Sequence, residues 1–124
     1  MAKILLVEDD PFLSSLLKNR LQKENYETVL ASDGEAALNY LKNDNFDLVL
    51  LDIILPRKTG FEILEEINLD PRFQAKKTPV IVISNLGQAG DIKRGQELGI
   101  IEYLVKAKIS IDDLMGKIKD FLKK

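Results

Sequence analysis

The stretch ILLVEDDP, residues 4–11, ends an apolar run in three consecutive acidic residues and a proline. A continuous run of Ile, Leu and Val is typical of a strand that is buried on both faces of a parallel sheet. Asp10 followed by Pro11 predicts the start of a helix, with the aspartate as N-cap and the proline at the first helical position. The stretch therefore predicts a strand, an acidic loop and a helix, and it leaves three mutually repelling carboxylates to be explained.

The same succession of a short apolar run and a helical segment repeats along the chain. Apolar residues recur at helical spacing between the runs, most clearly in the last segment, 111–122. The fourth segment, roughly 87–98, is the weakest helix prediction, because Gly90 and Gly95 disfavour a helix interior. The apolar runs are KILLV (3–7), ETVLA (27–31), DLVLL (47–51), PVIVIS (79–84) and EYLV (102–105).

Five alternations of strand and helix predict a single α/β domain over residues 1–124. With right-handed crossovers, this succession predicts a doubly wound parallel sheet in a flavodoxin-like three-layer sandwich. We expect the strand order 2-1-3-4-5, one of the common doubly wound arrangements. Ligands of such sheets bind outside the carboxyl ends of the strands, where the strand order reverses. Candidate functional residues are therefore those that directly follow the apolar runs.

The composition limits the chemistry that the chain can perform. Its 124 residues are 45% hydrophobic and 31% charged with a net charge of −2, which is typical of a soluble globular protein without a basic nucleic-acid surface. The absence of cysteine and histidine excludes thiol chemistry and the commonest general base. No apolar run reaches membrane-spanning length and no signal peptide is visible, so we expect a cytoplasmic protein. Lysines at the C-terminal end alternate with aspartates and are interpreted as a solvated helix face: Lys117, Lys119, Lys123 and Lys124.

Polar residues follow four of the apolar runs. Each has an ordinary explanation as a helix cap, a turn residue or a strand end, but four strand ends that meet at one crevice favour a functional site. With Asp10 used as a helix cap, three carboxylates and one lysine leave two net negative charges. A divalent cation would compensate them, and oxygen ligands in small number suit Mg²⁺. The residues are Glu8 and Asp9 after the first run, Asp52 after the third, Ser84 at the end of the fourth and Lys106 after the fifth.

A carboxylate beside a bound Mg²⁺ permits one specific reaction. Asp52 could attack a phosphoryl group and form an acyl phosphate. The metal would bridge the nucleophile and the phosphoryl oxygens, while Lys106 and the Ser84 hydroxyl would bind the remaining oxygens. The charges of the phosphorylated site would then be nearly neutralised.

The segments ILLVEDDP, LVLLDIILPRKTG, VIVISN and EYLVKA, in this order and spacing, resemble the receiver domain of bacterial two-component response regulators. The resemblance covers essentially the whole chain and is greatest to stand-alone, chemotaxis-like receivers, since no output domain follows. Met1 and the ending FLKK favour a whole protein. The resemblance implies a phosphorylation-dependent signalling switch, not a classical enzyme, that catalyses its own phosphoryl transfer and slow autodephosphorylation.

By position, the resemblance makes Asp52 the phosphoacceptor, supplied by the phosphohistidine of a sensor histidine kinase or a histidine phosphotransfer protein. Asp9 matches the direct Mg²⁺ ligand, Glu8 the acid that acts through metal-bound water, and Ile54 the residue whose backbone carbonyl binds the metal. Lys106 matches the lysine that contacts the phosphoryl group.

Ser84 and Tyr103 match the family's switch pair, a hydroxyl that moves toward the phosphoryl group and a ring that turns inward. Phosphorylation is then expected to favour a conformation whose surface around the fourth helix, fifth strand and fifth helix binds an unidentified protein target. The resemblance implies no direct contact with nucleic acid and no membrane insertion. It is compatible with a monomer or a phosphorylation-dependent dimer.

Three features depart from the family pattern. Ala107 stands where a proline in a cis bond is usual, and a non-proline cis bond costs about 2.5–4 kcal/mol. The bond is thus trans or strained, which questions the placement of Lys106 and the start of the last helix. Asn85 stands where a small alanine is common and could hinder or orient an attacking water. Thr59 and Leu55 replace the more usual Asp or Ser and Met in the turn after Asp52, and we expect little consequence.

Two apolar residues occupy positions that flank the path of the hydrolytic water in this family. Ile54 and Leu86 lie two residues after Asp52 and Ser84, and their apolar side chains predict a long-lived phosphoryl group.

Three alternatives compete with a working receiver. A flavodoxin-like electron carrier needs a phosphate-binding loop after the first strand, where this chain is acidic. A haloacid-dehalogenase-type phosphatase places its Asp-x-Asp pair after the first strand, whereas the candidate nucleophile here, Asp52, follows the third. A degenerate receiver that binds partners without phosphorylation stays open because of Ala107.

Overall fold

A parallel sheet forms the centre of the molecule, and the computed structural model describes it within residues 1–123. Its five strands have the order β2-β1-β3-β4-β5, as the sequence predicts. Three strands coincide with the expected apolar runs, and β3 and β4 begin one residue later than expected. The strands are β1 (Lys3–Val7), β2 (Glu27–Ala31), β3 (Leu48–Leu51), β4 (Val80–Ser84) and β5 (Glu102–Val105).

Helices connect the strands and cover both faces of the sheet. The prediction of a single helix between β3 and β4 is wrong, because a second, short helix follows there. The fourth and fifth helices of the sequence prediction are therefore α5 and α6. The helices within residues 1–123 are α1 (Pro11–Lys23), α2 (Gly34–Asn43), α3 (Gly60–Asn68), α4 (Pro71–Lys76), α5 (Ala89–Glu97) and α6 (Ile111–Leu122), with a 3₁₀ turn at Lys106–Lys108.

The additional helix α4 carries the same start signal as α1. Asp70 caps it by accepting a hydrogen bond from the backbone N–H of Arg72, and Pro71 occupies its first position. Asp10 caps α1 in the same way, accepting from the N–H groups of Phe12 and Leu13. The pair Asp70-Pro71 is thus the sequence signal that indicates α4.

Alternation along the strands divides the core into two layers. In β1, Leu5 and Val7 face one side of the sheet, and Ile4 and Leu6 face the other. One layer is covered by α1 and α6, and the other by α2, α3 and α4 with Tyr103 of β5 packed against it. All neighbouring strands are parallel, so their carboxyl ends meet at one edge of the sheet.

The lysine-rich end of the chain is a charged helix face, as the sequence predicts. Lys117 forms an ion pair with Glu102 at 2.6 Å, and Lys119 forms one with Glu24 at 2.7 Å. Lys124 lies outside the described residues. Within the described part of the chain, no helix has the length and apolar character needed to cross a membrane.

Candidate functional site

Three carboxylates converge at the carboxyl edge of the sheet. One oxygen each of Glu8, Asp9 and Asp52 lies within 4.8 Å of the other two. The backbone aligns them, because the Asp52 N–H donates to the Val7 carbonyl at 3.0 Å and so extends the pairing of β1 with β3 beyond the strand ends. Glu8 and Asp52 are buried, with 3% and 4% of their surface exposed, whereas Asp9 is exposed.

Lys106 places its ammonium group between two of these carboxylates. Its Nζ lies 2.6 Å from Asp52 Oδ2 and 2.8 Å from Glu8 Oε1. The residues described contain no cis peptide bond, so the bond to Ala107 is trans. A trans bond is compatible with this placement of Lys106, since the 3₁₀ turn Lys106–Lys108 continues directly from β5.

Burial and the contact between Lys106 and the carboxylates act in opposite directions on the pKa values of Glu8 and Lys106. Burial raises the pKa of Glu8, and the charge of Asp52 adds to the rise, although the hydrogen bonds from Lys106 and the Asp10 N–H lower it. Burial opposes the charged form of Lys106, but the bonds to Asp52 and Glu8 outweigh it and raise the Lys106 pKa. The raised pKa keeps the Lys106 ammonium group protonated. Its single positive charge does not balance the three carboxylates of the cluster.

Backbone donors bind further carboxylate oxygens. Ile54 N–H donates to Asp52 Oδ1 at 3.1 Å, and Asp10 N–H donates to Glu8 Oε2 at 3.1 Å. These bonds fix the rotamers of the two buried acids. The Ile54 side chain itself is 54% exposed at the rim of the site.

Ser84 and Tyr103 meet at a third residue. Ser84 is fully buried, and its Oγ accepts a hydrogen bond from the Leu86 N–H at 3.3 Å. The Tyr103 hydroxyl donates to the Leu86 carbonyl at 2.5 Å. Burial raises the pKa of Tyr103 and the negative charge of Asp91 adds to the rise, whereas the adjacent Ser84 side chain lowers it. Both side chains therefore bind the backbone of the loop after β4.

The structure does not join every predicted site residue directly. Within residues 1–123, no hydrogen bond links Ser84 to Asp52 or Lys106. Asn85 and Leu86 lie exposed in the loop after β4. Leu86 contacts Ser84 and Tyr103 through its backbone N–H and carbonyl. Such a contact cannot be predicted from the type of residue.

Gly95 allows close packing of α5, a role that could not be decided from the sequence. It is buried on α5, and a Cβ at this position would lie 2.8 Å from Ile100 Cδ1 and 3.1 Å from Tyr103 Cδ2. Gly90 on the same helix has no atom within 4 Å of such a Cβ. Close packing against β5 therefore accounts for Gly95 and not for Gly90.

The donor set fits Mg²⁺. The ion prefers a few carboxylate oxygens and retains several waters. Three carboxylates with oxygens within 4.8 Å of one another, one of them at the solvent surface, supply such ligands and leave a side open to water. One lysine does not neutralise them, so a divalent cation would remove the remaining repulsion.

Comparison with known proteins identifies the class to which this fold and site correspond. The family model for the response regulator receiver domain matches residues 4–119, and the chain belongs to that family. Receiver domains are signalling switches, not classical enzymes; they interact with histidine kinases and bind Mg²⁺ in their active site. The family assignment confirms the resemblance found in the sequence.

Individual relatives match this chain over its whole length. The transcriptional regulatory protein CpxR of Escherichia coli K12 is 40% identical over 124 residues, which are all of this chain and 50% of CpxR. The chain spans about half the length of the curated relatives that it matches. The non-phosphorylated HemR receiver domain of Leptospira biflexa superimposes with a TM-score of 0.88 at 30% identity, covering 100% of this chain and 96% of that domain.

A chemotaxis protein shares the same architecture. The chemotaxis response regulator CheY4 of Vibrio cholerae matches with a TM-score of 0.85 at 27% identity, and the match covers 98% of each chain. The predicted fold class, a doubly wound sheet with the order 2-1-3-4-5, is thereby confirmed.

Proposed function

We propose that this chain is a phosphorylation-dependent switch of a two-component phosphorelay, with Asp52 as the phosphoacceptor. The observation that carries the proposal is the arrangement around Asp52: two further carboxylates within 4.8 Å and the Lys106 ammonium at 2.6 Å. This arrangement combines a nucleophile, a cation site and a phosphoryl-binding cation at one edge of the sheet.

In this proposal, Asp9, Asp52 and the Ile54 backbone carbonyl hold Mg²⁺, and Glu8 holds it through water. The bound ion supplies positive charge to the phosphoryl oxygens. A carboxylate oxygen of Asp52 attacks the phosphorus of a partner's phosphohistidine; the phosphorus–nitrogen bond breaks, and its electron pair returns to the imidazole. Lys106 moves its hydrogen bond from Asp52 to a phosphoryl oxygen, and the Ser84 hydroxyl donates a hydrogen bond to another.

The readout that we propose uses the contact at Leu86. Because Ser84 and Tyr103 both bind the Leu86 backbone, a shift of Ser84 toward a phosphoryl group would change the bond that holds Tyr103. Tyr103 packs beside Gly95 of α5, so the surface formed by α5, β5 and α6 would change with it. That surface is proposed to bind a protein target, as a monomer or in a phosphorylation-dependent dimer.

We also propose a phosphoryl donor, a cellular compartment and a domain organisation for this chain. The donor would be a sensor histidine kinase or a histidine phosphotransfer protein, in the cytoplasm that is typical of response regulators. We propose that residues 1–124 act as a single receiver domain that does not itself contact nucleic acid. CpxR is named a transcriptional regulatory protein, and half of its length has no counterpart in this chain.

The test is the intact mass after incubation with acetyl phosphate, with Mg²⁺ or with EDTA. The wild type should gain one phosphoryl group only with Mg²⁺, and Asp52→Asn should gain none. Asp47→Asn is the matched control, since Asp47 precedes β3 at the opposite end of the strand and is exposed. Absence of uptake together with absence of Mg²⁺ binding would replace the proposal by an interaction module that works without phosphorylation.

A further inference from the structure

The loop between β3 and α3 contains both Asp52 and Ile54, so its conformation decides where their oxygens lie. Two glycines touch the backbone of this loop, and each is the first residue of a helix: Gly34 of α2 and Gly60 of α3. A Cβ at Gly60 would lie 2.6 Å from the Asp52 carbonyl oxygen. Gly60 belongs to the helix that the loop enters, whereas Gly34 reaches the loop from a different part of the chain.

At Gly34 the approach is closer still. A Cβ there would overlap the carbonyl oxygen of Lys58 and would lie 2.6 Å from Lys58 Cβ. Non-bonded carbon atoms normally stay about 3.5–4.0 Å apart, so the loop or α2 would have to move by about 1 Å to admit a methyl group. The atoms met are backbone and Cβ atoms, which cannot rotate away as the end of a long side chain can.

Polar contacts hold the same junction. The Gly34 N–H donates to the Pro56 carbonyl at 3.2 Å, two residues after Ile54. Arg57 lies in the left-handed region with φ of 70°, and its guanidinium pairs with Asp33 at 3.8 Å and with Glu35 at 3.5 Å. An arginine held at positive φ leaves the loop little freedom to absorb a displacement.

We propose that Gly34 is a positioning residue for Mg²⁺ binding: by letting α2 lie against residues 56–58, it holds the Asp52 carboxylate and the Ile54 carbonyl where the ion needs them. The inference rests on the proposed function, because it concerns the same metal site. Mg²⁺ requires near-octahedral geometry at short distances. In enzymes, a misplacement of a catalytic group by about 1 Å can lower the reaction rate roughly a hundredfold.

The test compares Gly34→Ala with Gly90→Ala, a matched glycine in the first turn of α5 where a Cβ meets nothing within 4 Å. Isothermal titration calorimetry gives the Mg²⁺ dissociation constant, urea unfolding in EDTA gives stability, and hydrogen exchange gives protection of residues 53–59. We expect Gly34→Ala to weaken Mg²⁺ binding at least tenfold and to lower protection of this loop, and Gly90→Ala to change neither.

Arg57→Asn is the second variant, in case Gly34→Ala does not fold. Asparagine tolerates positive φ and removes the guanidinium contacts without adding volume. At low ionic strength it should raise hydrogen exchange of residues 53–59 at least threefold and weaken Mg²⁺ binding at least twofold.

The outcomes distinguish a failure of the inference about Gly34 from a failure of the proposed function. A folded Gly34→Ala protein with wild-type Mg²⁺ affinity would overturn the inference and leave the proposed function intact. If Gly34→Ala does not fold, wild-type loop exchange and Mg²⁺ affinity in Arg57→Asn would overturn it instead. A wild-type protein that binds no Mg²⁺ would refute the proposed function itself, and the inference with it.

Discussion

At the scale of single residues, Lys106 has two buried partners, because its ammonium group lies between the carboxylates of Glu8 and Asp52. Opposite charges at three strand ends are visible in the sequence, so the gathering of these residues could be predicted. The pairing of Lys106 with Glu8 as well as Asp52 could not, because it depends on side-chain directions at the end of β5.

Replacing Lys106 should destabilise the protein more without Mg²⁺ than with it. Lys106→Met leaves two buried carboxylates without their cation, and charged hydrogen bonds of this kind are worth roughly 1.5–3 kcal/mol. Mg²⁺ would supply the missing charge and so reduce the loss. Urea unfolding in EDTA and in saturating Mg²⁺ measures both effects, with Lys108→Met at an exposed neighbouring lysine as the control. Equal losses under both conditions would contradict this role of the two charges.

Apolar side chains at the rim of the site should prolong the life of the phosphoryl group. Ile54 and Leu86 are both exposed, two residues after Asp52 and Ser84, and their apolar side chains cannot orient an attacking water. We expect Ile54→Asn and Leu86→Glu each to accelerate spontaneous dephosphorylation at least threefold, followed as loss of the phosphorylated mass with time. Leu69→Glu, an exposed leucine after α3, is the control. Unchanged rates in both rim variants would refute this proposal.

At the scale of elements, buried parallel strands were the most predictable part, because continuous runs of Val, Ile and Leu have few other uses. The short helix α4 was missed, although Asp70-Pro71 repeats the start signal of α1. The contact of Ser84 and Tyr103 through Leu86 was beyond prediction, since a backbone N–H and carbonyl are present in nearly every residue.

Helix glycines provide a test of packing at this scale. Gly95→Ala should lower the free energy of unfolding, because a methyl group would press on Ile100 and on the Tyr103 ring, and overpacking typically costs 1–3 kcal/mol. Gly116→Ala, inside α6 with open space around it, should raise the free energy of unfolding by about 0.5–1 kcal/mol. Urea unfolding of both variants measures the difference. Equal stabilisation would show that Gly95 does not limit the approach of α5 to β5.

At the scale of the whole molecule, the fold class and the convergence of acids followed from sequence, since parallel strands in the order 2-1-3-4-5 bring their carboxyl ends to one edge. The packing of α2 against the loop after β3, close to that edge, could not be predicted from sequence. The contact of Gly34 with the loop after β3 joins residues about two dozen positions apart, and a glycine at the first position of a helix has many ordinary explanations.

Occupation of the site should change distant parts of the molecule. A beryllofluoride–Mg²⁺ complex at Asp52 mimics an acyl phosphate and should alter hydrogen exchange in residues 84–105, which include Leu86, α5 and Tyr103. Residues 14–31, in α1 and β2, serve as the internal control and should keep their protection. Changes confined to residues next to Asp52 would contradict the proposed route through Leu86.

The most direct test of the central claim is to locate the acyl phosphate chemically. Borohydride reduces an aspartyl phosphate to homoserine, so peptide mass mapping after treatment with acetyl phosphate and Mg²⁺ identifies the residue that was modified. Accessibility alone would favour the exposed Asp9 over Asp52, which is 4% exposed. We predict homoserine at position 52 and not at position 9. Homoserine at position 9, or at neither position, would contradict Asp52 as the phosphoacceptor.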